Sequence, residues 1–306
     1  MFNNLWTEKY RPHELRDLVL SSWNRTYFEG LKDGIPNMLF IGTPGIGKTT
    51  IAKILVQDVL KCQYLYINAS DENGIDTIRT KVSNFAQTRS IDGKVKVVIL
   101  DEADGITLDG QRALRNTMEE HSGYTRFILT ANYKHKIIPA IQSRTQHFDL
   151  TPEMADVVER VIEIIKEEGV YITAEQKPKL GKLFRENYHD IRKTINLVQK
   201  YSITGKLNIE DTIDSNAIAK VMMEHISSNK LMELRKYLIE NEAEFQGDYA
   251  NLLKTFLNTL YEKTDLKEDS KRKAIVTIAE HLYRDAFVLD KEINAFACLC
   301  QLQGLF

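Results

Sequence analysis

The chain has 306 residues, 43% of them hydrophobic, and 41 lysines and arginines stand against 43 aspartates and glutamates for a formal net charge of −2. That length suits two or three domains with well-buried cores, and the near-neutral balance excludes a chain-wide polycation, so nucleic-acid binding would need a local basic face. No apolar run approaches the roughly 18 residues of a membrane span and no signal peptide is expected; Cys62, Cys298 and Cys300 show no metal-ligand spacing and read as reduced thiols of a cytosolic protein, the last two as core filling.

The first informative stretch is Leu5-Trp6-Thr7-Glu8-Lys9-Tyr10-Arg11-Pro12. Arg-Pro favours extended backbone here rather than helix. Two readings stand side by side: Tyr10 and Arg11 line a nucleotide base, or Trp6 and Tyr10 form a hydrophobic clasp on the fold. Next, Met38-Leu39-Phe40-Ile41 reads as a buried strand over 38–42, and the apolar spacing from Thr50 to Val56 as part of a helix over 48–60. Between them lies Gly42-Thr43-Pro44-Gly45-Ile46-Gly47-Lys48-Thr49, a G-x-x-x-x-G-K-T loop in the strand-to-helix context that the motif requires. Its glycines let the backbone bend with N–H groups turned inward, and the helix behind presents its positive end to the same anion. Lys48 is placed to reach the β- and γ-phosphates of ATP, Thr49 to ligate Mg2+, and Thr50 to back the loop.

Tyr64-Leu65-Tyr66-Ile67 is a second strand, closed by Asn68-Ala69-Ser70-Asp71. A helix over 75–86 carries Ile75, Ile78, Val82, Phe85 and Ala86 at helical spacing, with Arg79 and Lys81 elsewhere on its surface. The strand over 95–100 runs into Asp101-Glu102-Ala103-Asp104, which sets two carboxylates at the carboxyl edge of a parallel sheet beside the glycine loop. Asp101 suits a Mg2+ held through water, and Glu102 suits polarisation of an attacking water. The helix over 107–121 has Arg112 and Arg115 on one face. A fourth strand over 126–131 ends at Asn132, a helix over 135–143 leads to Arg144, and 147–150 is a short fifth strand. This alternation predicts an α/β P-loop NTPase domain, residues 1–151, with a five-stranded parallel sheet. Beyond Pro152, helices over 154–168, 175–187 and 190–201 predict a small helical domain, 152–207. From 208 to 306 only helices are expected, over 215–226, 229–242, 247–263, 268–286 and 290–303, as a separate all-α domain.

Taken in order, Trp6–Pro12, the Gly42–Thr49 loop, Asn68–Asp71, Asp101–Asp104, Thr130-Ala131-Asn132, Ser143-Arg144 and Asp190-Ile191-Arg192-Lys193 resemble the AAA+ ATPase subunits of sliding-clamp loaders, the replication factor C type. The compact length and Asp190-Ile191-Arg192-Lys193-Thr194-Ile195 look closest to the large subunit of T4-like phage clamp loaders. The resemblance implies an AAA+ domain, a helical lid and an all-α collar that oligomerises. It implies a Mg2+-dependent ATPase that loads a ring-shaped sliding clamp onto primer–template DNA during replication. The implied partners are the clamp, the DNA, further copies of the chain and a smaller non-identical subunit, in the cytoplasm of a phage-infected bacterium and without a membrane. The rival readings are another DNA-acting AAA+ motor or a non-hydrolysing scaffold subunit; the helical tail argues against the first, and intact Lys48, Asp101 and Glu102 against the second.

By the same resemblance Lys48, Thr49, Asp101 and Glu102 take the nucleotide and hydrolysis positions. Asn132 takes that of the first sensor, Arg192 that of the second, and Arg144 that of an arginine finger given to a neighbour's ATP. Spacing alone makes Asn132 a turn cap and Arg192 a solvated helix arginine. Arg79, Lys81, Gln111, Arg112 and Arg115 match the positions that face DNA phosphates; a solvated face is the alternative for each. Ile78, Val82 and Phe85 divide between core packing and docking of the clamp. Two departures stand out. Glu72-Asn73 follows Ser70-Asp71 where relatives carry a basic residue, which leaves Asn68 or Asn73 to couple DNA contact to Glu102. Ile46 stands where many relatives have a small or polar residue, with no consequence expected.

Overall fold

Val97, Val98, Ile99 and Leu100 are fully buried, as a strand covered on both faces must be. The computed structural model describes residues 5–31, 35–90, 93–209, 215–245, 247–262 and 267–305. The chain divides into two units, Met1–Ile209 and Glu210–Phe306, so the boundary expected after 151 lies within the first.

The first unit is built on β1 (Met38–Ile41), β2 (Tyr64–Asn68), β3 (Lys96–Asp101), β4 (Thr125–Ala131) and β5 (Gln146–Asp149). All pair in parallel, in the order β2-β3-β4-β1-β5. Side chains alternate across the strands, so Met38 and Phe40 join one hydrophobic cluster with Phe28, Ile51 and Phe148, while Leu39 joins another with Ile78, Leu114 and Phe127. After α1 (Trp6–Lys9), which packs elsewhere, the covering elements are α2 (Ser22–Glu29), α3 (Lys48–Ile54), α4 (Ile75–Thr77), α5 (Ser83–Gln87), α6 (Leu108–Glu120) and α7 (Pro139–Gln142). The helix expected over 48–60 widens after α3 into a π turn at Leu55–Val59, and α4 and α5 are joined by another at Ile78–Val82. The helix expected over 135–143 is interrupted: Ile138 is extended (φ −62°, ψ 145°) because Pro139 follows it, and only Pro139–Gln142 is α-helical.

Helices α8 (Met154–Glu167), α9 (Gln176–Asn187) and α10 (Ile191–Lys200) enclose their own cluster of Val157, Val161, Ile164, Phe184 and Val198. Trp6 belongs to this cluster, 7% exposed, with its amide on Gln199 Oε1 at 3.0 Å. Lys9 Nζ and the Tyr10 hydroxyl both donate to Glu168 Oε1 at 2.7 Å. The clasp reading therefore holds for Trp6. It also explains why Trp6–Lys9 is helical where extended backbone was expected: the proline restricts Arg11, not the turn before it.

The second unit holds α11 (Ser215–Ser227), α12 (Leu231–Glu240), α13 (Tyr249–Glu262), α14 (Glu268–Asp285) and α15 (Lys291–Leu302), packed around Met222, Phe256, Ile278 and Leu299. The end expected at 263 for the helix over 247–263 lies outside the described residues. Cys298 fills this core, whereas Cys300 is exposed, since residues two apart on a helix point to different sides. No described helix is long and apolar enough to cross a membrane.

Candidate nucleotide site and basic groove

Gly42, Gly45 and Gly47 sit at φ 152°, 81° and 95°, values that side chains disfavour. A Cβ on Gly45 would fall 1.9 Å from Asp190 Oδ1, so the loop can approach the start of α10 only without one. Two further bonds close that approach: Thr43 Oγ1 donates to the His189 carbonyl at 2.6 Å, and the Arg192 amide to the Gly45 carbonyl at 3.3 Å. Lys48, 8% exposed, donates to the carbonyls of Gly42 and Thr43 at 3.0 and 2.8 Å and to Asn132 Oδ1 at 2.8 Å. Burial draws its pKa below the ordinary lysine value; Asp104, Asp101 and Glu102 oppose that shift and Arg192 adds to it.

Asp101 ends β3 with three hydroxyls on its carboxylate. Thr49 Oγ1 lies 2.8 and 2.9 Å from the two oxygens, Thr130 Oγ1 donates to Oδ1 at 2.6 Å, and the Tyr66 hydroxyl donates to Oδ2 at 2.8 Å. Burial first, then the bond to Asp101, holds the Tyr66 phenol well above its ordinary pKa. Thr130 also accepts from the Glu102 amide at 2.9 Å. That bond helps hold Glu102 in the left-handed region (φ 54°), a strain of about 1–3 kcal/mol in a residue with a Cβ. The Glu102 side chain itself is exposed at the sheet edge.

Tyr10, Arg11, Gly45, Ile46, Gly47, Thr50 and Arg192 line one cleft, joined by Pro12, Leu18, Val19, Ile191 and Ile195. Thr43 and Pro44 are exposed at the loop tip and Gly42 opens the loop. The arrangement fits a nucleoside triphosphate: a cleft with an apolar wall of Leu18, Val19, Ile191 and Ile195 for the base, positive-φ glycines for the phosphates, and a buried ammonium on the carbonyls of Gly42 and Thr43. Thr49 and Asp101 are hard oxygen donors of the kind that Mg2+ takes together with substrate phosphates.

Arg144 lies at the opposite edge of the sheet. It precedes β5, whose Gln146 pairs with Met38, whereas the glycine loop begins after Ile41, the partner of Asp149. Strand rise alone separates the two by more than roughly 10 Å. The Arg144 guanidinium donates to the Ala140 carbonyl at 2.8 Å and to Ser143 Oγ at 3.3 Å, and pairs with Glu119 of α6.

Arg79, Arg112 and Arg115 line a single groove between the α4–α5 segment and α6. Arg79 is exposed, and its guanidinium makes no hydrogen bond or ion pair among the described residues. Arg112 pairs with Asp109 at 3.0 Å, and Arg115 Nη2 donates to Asn116 Oδ1 at 2.6 Å. Lys81 does not line this groove; its ammonium pairs with Glu72. Gln111, expected on the DNA-facing surface, lies inside the fold. It is 2% exposed, its amide nitrogen donates to the carbonyls of Ile106 and Lys136, and its oxygen accepts from the Ile138 amide, so it joins α6 to the segment before α7 and is not offered to DNA. Ile78 and Val82 are core, at 1% and 0% exposure, which removes them from any docking surface, while Phe85 is half-buried under the Lys96 ammonium. The Asn68 side chain is engaged by Asp71 and Ser70, and the Asn73 carbonyl accepts from the Thr107 amide. Among the described residues neither asparagine bonds to Glu102; Thr130 does.

Comparison with known proteins fits this geometry. The ATPase family associated with various cellular activities (AAA) matches residues 38–152, and the AAA+ ATPase lid domain of the sliding-clamp-loader large subunit matches 149–213. The replication factor C small subunit of Sulfurisphaera tokodaii is 38% identical over 317 residues, covering 97% of this chain and 94% of that protein. The chain belongs to the replication factor C small-subunit family. The small subunits of Sulfolobus acidocaldarius (42% over 253 residues, 77% of this chain and 76% of theirs) and Saccharolobus solfataricus (47% over 219 residues, 67% and 64%) are similar to it. A Thermotoga maritima RuvB variant, 14% identical with a TM-score of 0.52 over 77% of this chain and 88% of that one, shares the fold.

Within this replication factor C-type chain, four participants escaped the motif reading. Tyr66 and Thr130 bond Asp101, Glu119 holds Arg144, and Leu18 lines the cleft. The one available signal was Thr130 itself, a polar residue after the apolar run Phe127-Ile128-Leu129 in the strand beside the acid-ending one.

Proposed function

We propose that the chain is one ATPase subunit of a multi-subunit clamp loader, using ATP to place a ring-shaped sliding clamp on primer–template DNA. The observation that carries this reading is the convergence of Lys48, Thr49, Asp101, Glu102 and Asn132 at one sheet edge, in a replication factor C-type chain, with Arg144 at the other edge. Residues 1–151 are read as the ATPase domain, 152–207 as the lid and 208–306 as the collar that joins further copies and a smaller, non-identical subunit. A kinship with the large subunit of T4-like phage clamp loaders, and with it a setting in the cytoplasm of an infected bacterium, is read from the compact length and Asp190-Ile191-Arg192-Lys193-Thr194-Ile195; the lid-domain match names a clamp-loader large subunit and no source.

The substrate phosphates replace the loop carbonyls and Asn132 as partners of the Lys48 ammonium. Thr49 and Asp101 would hold Mg2+, which when bound neutralises charge on the phosphates. Glu102, backed by Thr130, orients water toward the γ-phosphate, and Asn132 is within reach of the same phosphate once Lys48 turns to it. Arg192 reports the nucleotide to the lid, because its amide already rests on Gly45. Arg144 leaves Glu119 to enter the site of the adjoining subunit. Arg79, Arg112 and Arg115 contact phosphates of the DNA, and Lys81 joins them on leaving Glu72.

The test is reconstitution with the other subunits, a ring clamp and primed DNA. ATP hydrolysis is expected to rise when both clamp and DNA are added, and the clamp to become topologically linked to circular DNA. Hydrolysis indifferent to both would overturn the clamp-loading role, and absence of hydrolysis would overturn the enzymatic one.

A further inference from the structure

Asp101 is 6% exposed, so the direction of its carboxylate is set by protein groups and not by water. An ionised carboxylate has about four lone-pair positions. Thr49 spans both oxygens, at 2.8 and 2.9 Å, and is itself a metal ligand in the reading above. When its oxygen turns to a cation, it no longer orients Asp101. Two hydroxyls then remain, one on each oxygen: Thr130 on Oδ1 at 2.6 Å and Tyr66 on Oδ2 at 2.8 Å.

Tyr66 is well built for such a task. It sits on β2, the strand paired with β3, and Asn68 two residues on is the register partner of Asp101. Its ring packs on the cluster beneath the glycine loop, with the Lys53 ammonium of α3 4.2 Å from the ring centre. The phenol thus reaches Asp101 from a rigid platform, on the side away from Thr130. With a donor on each side, the carboxylate cannot rotate without losing one bond.

Resting on the ATPase reading, we propose that Tyr66 is a positioning residue for the metal carboxylate: its hydroxyl, opposite that of Thr130, holds Asp101 in the orientation that a divalent cation entering with ATP meets. Outer partners of this kind typically change metal affinity by about 10–100-fold, and Thr130 remains in the variant, so the lower end applies.

The experiment compares the wild-type assembled complex with one carrying Tyr66→Phe, which keeps the ring and removes only the hydroxyl. Binding of Mn2+ in the presence of a non-hydrolysable ATP analogue is followed by electron paramagnetic resonance. Nucleotide affinity without metal is measured in EDTA. The Tyr66→Phe complex is expected to bind Mn2+ about 10-fold more weakly and to need correspondingly more Mg2+ for half-maximal hydrolysis. Its metal-free nucleotide affinity should match wild type. Equal Mn2+ affinity in the two complexes overturns the proposal, as does a matching loss of metal-free nucleotide affinity, which marks general damage. If Tyr66→Phe does not assemble, Thr130→Val removes the opposite donor: weaker Mn2+ with metal-free binding retained supports the proposal, and unchanged Mn2+ overturns it. Failure of the wild-type complex to bind Mn2+ with nucleotide sinks the ATPase reading itself, an outcome distinct from an insensitive Tyr66→Phe.

Discussion

Lys48 Nζ lies 2.8 Å from Asn132 Oδ1, so the ammonium of the glycine loop is tied directly to the tip of β4. The contact joins two residues 84 apart in sequence and puts the proposed first sensor against the proposed phosphate-binding lysine. Lys48→Ala should abolish ATP binding and, with it, retention of clamp and DNA, as read by fluorescent-nucleotide titration and co-sedimentation. Normal nucleotide affinity in this variant would remove the P-loop assignment.

Glu102→Gln keeps the shape of the side chain and leaves the Thr130 bond to its backbone amide intact. Nucleotide affinity should stay close to wild type, while hydrolysis falls by about 10²–10⁴-fold, the usual range for a lost general base. A clamp-bound complex should accumulate. Single-turnover kinetics decide the matter, and a wild-type rate means that Glu102 is not the catalytic carboxylate.

Arg79 and Arg115 share a groove, and Arg79 has no competing partner among the described residues. Either residue changed to alanine should weaken DNA binding and DNA-stimulated hydrolysis, with basal hydrolysis mostly kept. Each lost phosphate contact should lower the slope of log affinity against log salt by about 0.9, with little dependence on DNA sequence. Equal DNA affinity in both variants would place the DNA face elsewhere.

Arg144 lies across the sheet from its own Lys48 and is held by Glu119. Arg144→Ala should therefore leave nucleotide binding by the isolated chain unchanged, yet cut hydrolysis in the assembled complex by roughly 10³–10⁵-fold, the range for arginine fingers. Lysine should not rescue, because it lacks the planar fork. Mixing Arg144→Ala chains with Lys48→Ala chains should restore some activity wherever an intact finger meets a binding-competent site. No restoration, together with impaired nucleotide binding by the Arg144→Ala chain alone, would assign Arg144 a role within its own subunit.

The sequence by itself determined whatever depends on neighbours along the chain. A glycine loop between an apolar strand and a helix, or a strand running into two acids, is a local pattern whose backbone requirement is met by the residues that display it. The parallel sheet followed, because alternating strand and helix periodicities leave few other arrangements. Tertiary structure alone decided which polar side chains remain free. Gln111 and Arg115 lie on the same helix, yet Gln111 is enclosed by the Lys136–Ile138 backbone while Arg115 faces a groove. Trp6 is claimed by a cluster from residues 157–209, and Tyr66 and Thr130 meet Asp101 only because β2, β3 and β4 lie side by side. Hydrogen-bond partners so distant in sequence leave no periodic trace, since a hydroxyl costs little on either face of a strand until burial requires a partner for it.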